Sequence, residues 1–406
     1  MMTQTLAMFV DAYRELNAKR LFWISVLLSG LIVASMACVG INQKGITVLW
    51  WDLDVEFINT TVISKPTFYK MFMFLPVGMS IWLTWAATIL ALISTASMIP
   101  DFISSGSIEL SLSRPIGRLR LFLTKYLAGL TFVALQVTVF TVASFVLIGV
   151  RGESWEPRLF LAIPLVLAFF SYLFAVCVLA GLVTRSTIAS LLITALFWIA
   201  IFLVHLGESG IVLELRETRK LSIERMERSV QVDLPARIAD LEPRAVVPPD
   251  PVPTDDPALD AKATQEHDRA VRLANRSRER LDTAREELSR TNERLEQARL
   301  ELPRLERIHR MFYVAKSILP KTTETMGLLE RQIVAMTDMQ GFRDAMVSRV
   351  EVGEEDRRRG VDPFEVAKRV ERILRERSVA WVLGTSLAFE AAVLAIACWI
   401  FCRRDF

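Results

Sequence analysis

Residues 159–206 read LFLAIPLVLAFFSYLFAVCVLAGLVTRSTIASLLITALFWIAIFLVHL, and this stretch decides the fold. It contains two apolar runs, 159–183 and 188–206, and its only lysine, arginine or carboxylate is Arg185. A helix that spans a bilayer needs about 20 mainly apolar residues. Each run is therefore long enough to cross a membrane, with a short polar connection between the two.

The same criterion finds four more stretches along the chain. With the two runs above, they give six predicted spans: 21–41, 74–99, 121–150, 159–183, 188–206 and 379–401. The first stretch is not a cleavable signal, since it lacks a small-residue cleavage site and follows an amphipathic segment. The sequence therefore predicts an all-α membrane protein with six transmembrane helices.

Charge is concentrated in one part of the chain. Of the 406 residues, 52% are hydrophobic and 23% are charged. Residues 208–378 hold 33 of the 48 lysines and arginines and 34 of the 45 carboxylates. The chain is thus an apolar body with one charged insert, which excludes an ordinary soluble enzyme. No clustered basic face points to nucleic acid.

The positively charged residues near the span ends set the orientation. With the N-terminus inside, ten lysines and arginines lie on the inner side and five in the short outer loops. We therefore expect both termini to be cytoplasmic, in the inner membrane of the cell. The domains would be 1–20, 21–206 with a cytoplasmic loop at 100–120, an extracytoplasmic insert at 207–378, and 379–406 with span six and a short tail.

The segment 1–20 has apolar residues at helical spacing. Leu6, Phe9, Tyr13 and Leu16 recur every three or four residues, with charged residues opposite. This pattern predicts a helix that lies in the cytoplasmic membrane interface and contacts lipid. A solvated start that is periodic by chance is the alternative.

The cytoplasmic loop 100–120 combines small apolar side chains with charges and prolines. Pro100 ends span two, Asp101 can cap a short helix, and Pro115 ends it. The apolar side chains between them need a cover, either the membrane interface or a partner protein. The residues concerned are Asp101, Gly106, Ser107, Ile108, Glu109, Leu112, Ser113, Arg114, Pro115, Ile116 and Arg118.

This loop resembles that of the permease subunits of ABC transporters of the ABC-2 class. The matching residues are Gly106-Ser107-Ile108-Glu109, then Leu112-Ser113-Arg114-Pro115-Ile116, and then Lys125. The resemblance covers about 1–206 and 379–406. It implies a coupling helix that docks on a separate ABC ATPase subunit, which binds ATP and Mg, and a permease homodimer.

Two features depart from that family's pattern. Ser104 and Ser105 precede Gly106 where the family often has an acidic residue, and spans five and six are usually joined by a compact connection. An ordinary interfacial turn that follows the positive-inside rule is the alternative reading of the loop. The chain has no P-loop motif, so we expect no ATPase activity and no nucleotide cofactor in this chain.

The insert contains a heptad repeat. Leu281, Leu288, Leu295 and Leu302 recur every seven residues in a stretch from 258 to 302 that has no glycine or proline. This spacing predicts a coiled-coil seam on a helix of ~68 Å at 1.5 Å per residue. Residues 223–241, with a kink at Pro235, precede a proline-rich turn at 243–257. We expect an antiparallel hairpin, and pairing between protomers is the alternative.

After Pro303 the insert becomes more apolar and rich in methionine. We expect short helices close to the membrane, divided at Pro320 and near Gly353–Gly360. A small helical core at the base of the hairpin is one interpretation, and a surface for varied apolar ligands is the other.

Glu390 lies in the middle of span six, where a carboxylate is costly and usually functional. It could be protonated, hydrogen-bonded to Ser or Thr of a neighbouring span, or exposed to a pathway in the dimer.

No catalytic constellation and no metal-ligand spacing is found in the sequence. The four cysteines all lie in apolar runs, as small packing residues do. Three functions stay open: an ABC-2-type permease subunit, a mechanotransmission complex without translocation that acts on an extracytoplasmic envelope partner, and a motor-free structural coiled-coil protein.

Overall fold

Ten helices follow one another in the computed structural model, which describes residues 10, 14, 20–54, 58–104, 117–251, 257–335, 337, 366, 369–370, 372–374 and 376–403. Six of them are long and apolar enough to cross a membrane. These are α1 (Arg20–Cys38), α2 (Lys65–Ile103), α3 (Arg118–Arg151), α4 (Pro157–Thr184), α5 (Thr187–His205) and α10 (Val379–Arg403). The other four are α6 (Leu213–Arg228), α7 (Leu234–Leu241), α8 (Pro257–Ile318) and α9 (Thr322–Ala335).

The second span starts earlier than the hydropathy predicts. The helix begins at Lys65 because the Ser64 side chain accepts a hydrogen bond from the Thr67 backbone N–H and Pro66 occupies the first turn. Residues Phe68–Ala87 are wound as a π-helix, with Pro76 inside it. The hydroxyls of Ser80, Thr84 and Thr88 bond carbonyls five residues earlier, which fits that wider winding.

A small antiparallel sheet lies between α1 and α2, where the sequence predicts no strand. Its strands are β1 (Val39–Ile41), β2 (Gly45–Val48) and β3 (Trp51–Asp54), in the order β1-β2-β3. The Asn42 side chain accepts hydrogen bonds from the backbone N–H groups of Lys44 and Gly45, and Gly45 has a φ of 152°. These strands of three and four residues are too short to give a clear alternating pattern.

The helices divide into two compact units. The first comprises Met1–Leu206, Tyr313–Glu351 and Arg375–Phe406, and so contains all six candidate spans. We call the end of this unit that carries the sheet and His205 the sheet end. The end that carries Arg118 and Arg403 is called the tail end. The second unit comprises Gly207–Phe312 and Val352–Leu374.

The core of the first unit is centred on α4, which buries more of its length than any other candidate span in the described chain. Aromatic rings fill the space around it: Tyr126 of α3 stacks on Phe174 of α4 at 5.1 Å. A Cβ on Gly129 would lie 2.7 Å from the Phe174 ring, so this glycine lets α3 and α4 approach closely.

In the second unit, α6 and α7 pair antiparallel with α8 of the same chain. Ion pairs join the arms in descending order along α8: Arg219 with Glu301, Glu227 with Arg299, Arg237 with Glu287, and Glu242 with Arg285. Two apolar clusters lie between the arms. One contains Ile223, Leu295 and Ala298, and the other contains Leu241, Ala245, Leu281 and Ala284.

The predicted seam residues all lie on the less exposed face of α8. Leu281 and Leu295 are buried, while Leu288 and Leu302 are half-buried. Seven-residue spacing keeps these positions on one side of the helix, as expected for paired helices.

Two prolines lie within helical segments of the insert. Pro303 lies inside α8, which continues to Ile318 and has 62 residues, so the expected helix of 45 residues is too short. Pro303 is exposed, and the helix tolerates the loss of one backbone hydrogen bond there. Before Pro235, residues Ser229–Asp233 are wound as a π-helix, which widens the turn that the proline ring would otherwise clash with.

Helix α9, from the apolar part of the insert, lies in the first unit. It packs against α2, α4, α5 and α10. Its residues Met326, Leu329 and Ile333 are buried in the same core cluster as the span residues. The chain reaches α9 through a turn at Pro320, where the sequence predicts a division. The methionine-rich surface is therefore in part a packing surface of the first unit.

Candidate functional site

The predicted coupling loop is described only at its two ends. Residues Gly106, Ser107, Ile108, Glu109, Leu112, Ser113, Arg114, Pro115 and Ile116 lie outside the described residues. The second span continues through Pro100 to Ile103, so Pro100 does not end it, and Asp101 lies within the helix Met98–Ser104 and does not cap a new one. Arg118 begins α3. Most of the predicted interfacial helix 1–20 is also outside, since Val10, Arg14 and Arg20 are its described residues. Both predictions stay open.

Both ends of the loop are fixed to the spans. Phe102 is buried beneath the Lys125 ammonium of α3, 5.0 Å from the ring centre. Pro100 packs so close to Gly181 of α4 that a Cβ there would lie 3.2 Å from the proline ring. The Arg118 guanidinium donates a hydrogen bond of 3.1 Å to the Cys402 carbonyl of α10. A displacement of the loop would therefore act directly on α3, α4 and α10.

Glu390 of α10 is buried between α3 and α4. Its Oε1 accepts a hydrogen bond of 2.7 Å from the Tyr126 hydroxyl, and its Oε2 accepts one of 2.7 Å from the Ser171 hydroxyl. The side chain thus joins three spans in the middle of the bundle. Hydrogen bonding to a serine of a neighbouring span was one of the three interpretations from sequence. The tyrosine was not foreseen, because no spacing along the chain relates Tyr126 to Glu390.

A second buried carboxylate, Glu324, lies near the start of α9. Two cationic side chains and an imidazole surround it: Lys316 of α8 in direct contact, Arg377 at 2.8 Å, and His205 at 3.6 Å. The side chains of Glu324, Lys316 and Arg377 are each less than a tenth exposed. The cluster ties the end of α5, the end of α8, the start of α9 and the segment before α10 together at the sheet end.

Burial alone would raise the pKa of Glu324. Hydrogen bonding from His205 and the positive charge of Lys316 outweigh that effect, so the pKa lies well below the usual carboxyl range. Glu324 is therefore ionised at neutral pH. Its depressed pKa makes the cluster a source of stability that depends on the carboxylate charge.

Lys321 lies at the turn between α8 and α9 and is fully buried. Its Nζ donates to the Thr385 hydroxyl at 2.6 Å and lies 4.3 Å above the centre of the Trp381 ring. Its backbone N–H donates to the Ser386 hydroxyl at 2.9 Å. Burial lowers the pKa of Lys321 to about 8, although the nearby Glu324 charge acts in the other direction. This lysine can therefore gain or lose a proton near neutral pH.

The stabilising effect of Glu324 is expected to disappear in acid. A carboxyl whose folded pKa is depressed stabilises the fold above its ordinary value of 4.5, and loses that contribution as the pH falls through its folded pKa. The local opening free energy of α9 should therefore decline as the pH falls below about 5. Hydrogen exchange of the α9 amides, corrected for intrinsic rates, measures it. The decline should be smaller in Glu324→Gln; an equal decline would contradict this role.

Among the described residues, no group of three or more His, Cys, Asp or Glu side chains could hold a metal ion. The four cysteines are free. Three histidines lie beside carboxylates instead: His205 beside Glu324, His267 beside Asp250 and His309 beside Glu208. The charged groups of the candidate site are thus arranged for mutual neutralisation.

The fold and the site define a predominantly helical membrane protein with six helices able to span the bilayer and two buried carboxylates. Comparison with known families adds one finding. Residues 30–210, from within α1 to just past α5, match a family described as "Protein of unknown function (DUF2705)". No curated protein and no solved structure matches the chain.

Proposed function

We propose that this chain is the membrane-spanning permease subunit of an ABC-2-type ABC transporter. It couples ATP hydrolysis by a separate ATPase subunit either to the export of a substrate or to movement of the α6–α8 hairpin. The hairpin lies outside the cytoplasm in this proposal, and the tail end faces the cytoplasm of a cell with an inner membrane. ATP and Mg bind to the partner, and two permease chains form a dimer.

The observation that carries the proposal is the loop 100–120 at the tail end of a six-span body. Its sequence resembles the ATPase-docking segment of the ABC-2 class at Gly106–Glu109 and Leu112–Ile116. The excess of lysines and arginines at this end of the body favours the cytoplasmic side, where an ATPase would be. The candidate spans number six, as in that class.

The packing supports a mechanical route from the loop into the bundle. Phe102, Pro100 and Arg118 attach the loop ends to α3, α4 and α10. Deeper in the bundle, Glu390 holds the same three helices together. A push on the loop would thus move α3, α4 and α10 as one body, because close-packed helices transmit displacement and compress little.

Loss of ATPase binding in a loop variant tests the proposal. The double substitution Arg114→Gln and Pro115→Ala should abolish co-purification with the proposed ABC ATPase partner, because it removes a charged contact and the rigid end of the docking helix. The matched control Arg185→Gln removes one positive charge from the connection between α4 and α5 at the same end. It should retain the partner. A chain that never associates with any ATPase would refute the proposal.

The alternative is mechanotransmission without translocation, and one observation favours it. The arms of the hairpin meet at small residues, Ala284 and Ala298, and at exposed ion pairs. Such a seam can rearrange at low cost, as a moving lever requires.

The antiparallel register lets both arms be shortened together, by removing residues 228–298 and closing the ends with a short glycine linker.

This shortened chain distinguishes the two functions. If it still supports substrate-stimulated ATP hydrolysis and export in vesicles, the hairpin is dispensable and the chain is an exporter. If ATP hydrolysis persists while an extracytoplasmic envelope partner is no longer activated, the hairpin transmits the signal. A motor-free structural protein would show neither effect, since ATP hydrolysis would never depend on the chain.

A further inference from the structure

The hydrogen bonds around Glu390 are compatible with both its charged and its neutral form. The Tyr126 hydroxyl can donate to Glu390 or, at 3.2 Å, to the Ser171 carbonyl. The Ser171 hydroxyl can donate to Glu390 or, at 2.9 Å, to the Ala168 carbonyl. Each hydroxyl has one proton for two acceptors. An ionised Glu390 accepts a hydrogen bond from both hydroxyls. A neutral Glu390 donates a hydrogen bond to one of them, and that hydroxyl then donates to its backbone carbonyl instead.

No lysine, arginine or histidine forms an ion pair with Glu390 among the residues that the structure describes. The groups that face it are hydroxyls: Tyr126 of α3, and Ser171 and Tyr172 of α4. The site thus holds the carboxyl group by hydrogen bonds from hydroxyls and not by an ion pair.

Tyr172 continues this polar region toward the sheet end. Its side chain is fully buried, and its hydroxyl has no hydrogen-bond partner of ordinary geometry in the described structure. The hydroxyl lies near Glu390 and beside Thr325 of α9 and Ser386 of α10. A buried hydroxyl without a hydrogen bond is costly inside a membrane protein. Packing of the Tyr172 ring alone therefore does not explain why a hydroxyl is present at this position.

The turn at Lys321 lies between this polar region and the sheet end. Ser386 lies one helical turn before Glu390 on the same face of α10, ~10 Å from Val379 at 1.5 Å per residue. Its hydroxyl accepts from the Lys321 backbone, and the Thr325 hydroxyl donates to the Lys321 carbonyl at 2.8 Å. Lys321 neighbours the cluster of Glu324, whose His205 side chain is 19% exposed and so reaches the surface. Toward the tail end, α10 buries Val393, Ala397 and Phe401 instead.

We propose that Glu390 is a proton-binding site that exchanges its proton with the sheet end of the bundle, by way of Tyr172, Ser386 and the turn at Lys321. In the exchange the carboxylic acid becomes a carboxylate, and water at the sheet end takes up the proton. No other bond changes. The charged and titratable groups along the path are hydroxyls, a lysine and the Glu324 cluster: Tyr126 on α3, Tyr172 on α4, Lys321 before α9, Glu324 in α9, and its neighbours His205, Lys316 and Arg377. The proposal does not depend on an ATPase.

Reaction with dicyclohexylcarbodiimide tests the proposal, because this apolar reagent attacks protonated carboxyls. The full chain is placed in sealed, uniformly oriented vesicles, and the pH is set separately on each side. Mass spectrometry then quantifies the adduct on Glu390, with Glu390→Gln as the blank. We expect labelling to fall as the pH at the sheet end rises, and to be insensitive to the pH at the tail end.

The variant Tyr172→Phe should weaken the response to sheet-end pH several-fold. It should leave the fold intact, since the deleted hydroxyl has no hydrogen-bond partner of ordinary geometry in the described structure. Tyr69→Phe, which alters a buried tyrosine near the sheet and outside the path, should respond as the wild type does. Three results would overturn the proposal: no label on Glu390 at any pH, labelling that follows the tail-end pH, or a Tyr172→Phe response equal to that of the wild type.

Discussion

Replacing Glu324 with Gln should destabilise the first unit by about 3–5 kcal/mol, the usual cost of breaking a buried ion pair by removing one partner. The change keeps the shape of the side chain and removes its charge. Lys316 and Arg377, each less than a tenth exposed, would then be buried without the carboxylate that contacts both. Thermal unfolding in detergent and hydrogen exchange of the α9 amides measure the loss.

The matched control for this prediction is Glu301→Gln. Glu301 forms an ion pair of 2.6 Å with Arg219, but both side chains are largely in solvent. An exposed pair contributes about 1 kcal/mol or less, so the control should be nearly as stable as the wild type. If the two variants lose the same stability, Glu324 does not balance the buried cations. A second substitution, Lys316→Met, should restore part of the loss in Glu324→Gln, because it removes one of the stranded charges.

The second large effect is expected in the hairpin. Ala298 is buried against Ile223 and Leu295, where the two arms meet. The substitution Ala298→Glu should cost about 3–4 kcal/mol, because overpacking alone costs about 1–3 kcal/mol and an unpaired carboxylate adds to it. Hydrogen exchange of the amides of α6 and of the facing part of α8 in the full chain measures the opening of this region.

Gln297→Glu is the control, since it adds the same charge one residue away on the exposed face of α8. Surface substitutions of this kind usually change stability by about 0.5 kcal/mol or less. Equal protection of α6 in Ala298→Glu and Gln297→Glu would show that the arms do not depend on this seam. Selective opening in Ala298→Glu would support pairing within the chain.

The membrane helices could be predicted from sequence because lipid leaves the backbone few options. An apolar run must satisfy its own backbone hydrogen bonds, so hydropathy alone locates 159–183 and 188–206 in α4 and α5. The heptad of Leu281 and Leu295 similarly indicates which face of α8 is covered. Strand formation at Val39–Asp54 was missed, because three or four residues carry too little pattern for a prediction.

The candidate site was predictable only where a single residue is unusual in its surroundings. Glu390 stands out as a carboxylate in an apolar span, whereas Glu324 lies among many charged residues of the insert and gives no such signal. Its partners His205, Lys316 and Arg377 come from different segments that tertiary packing alone brings together. Neither composition nor spacing could identify α9 as part of the first unit.

The ion pairs between the hairpin arms have a consequence for the medium around the protein. Arg237 with Glu287 and Arg285 with Glu242 lie in water, with about half of each side chain exposed. Dissolved salt screens such pairs over about 10 Å at 0.1 M and about 3 Å at 1 M. Buried Glu324 and Lys316 are shielded from dissolved ions by the surrounding protein. A rise in ionic strength would therefore weaken the ion pairs between the arms and leave the Glu324 cluster at the sheet end unchanged.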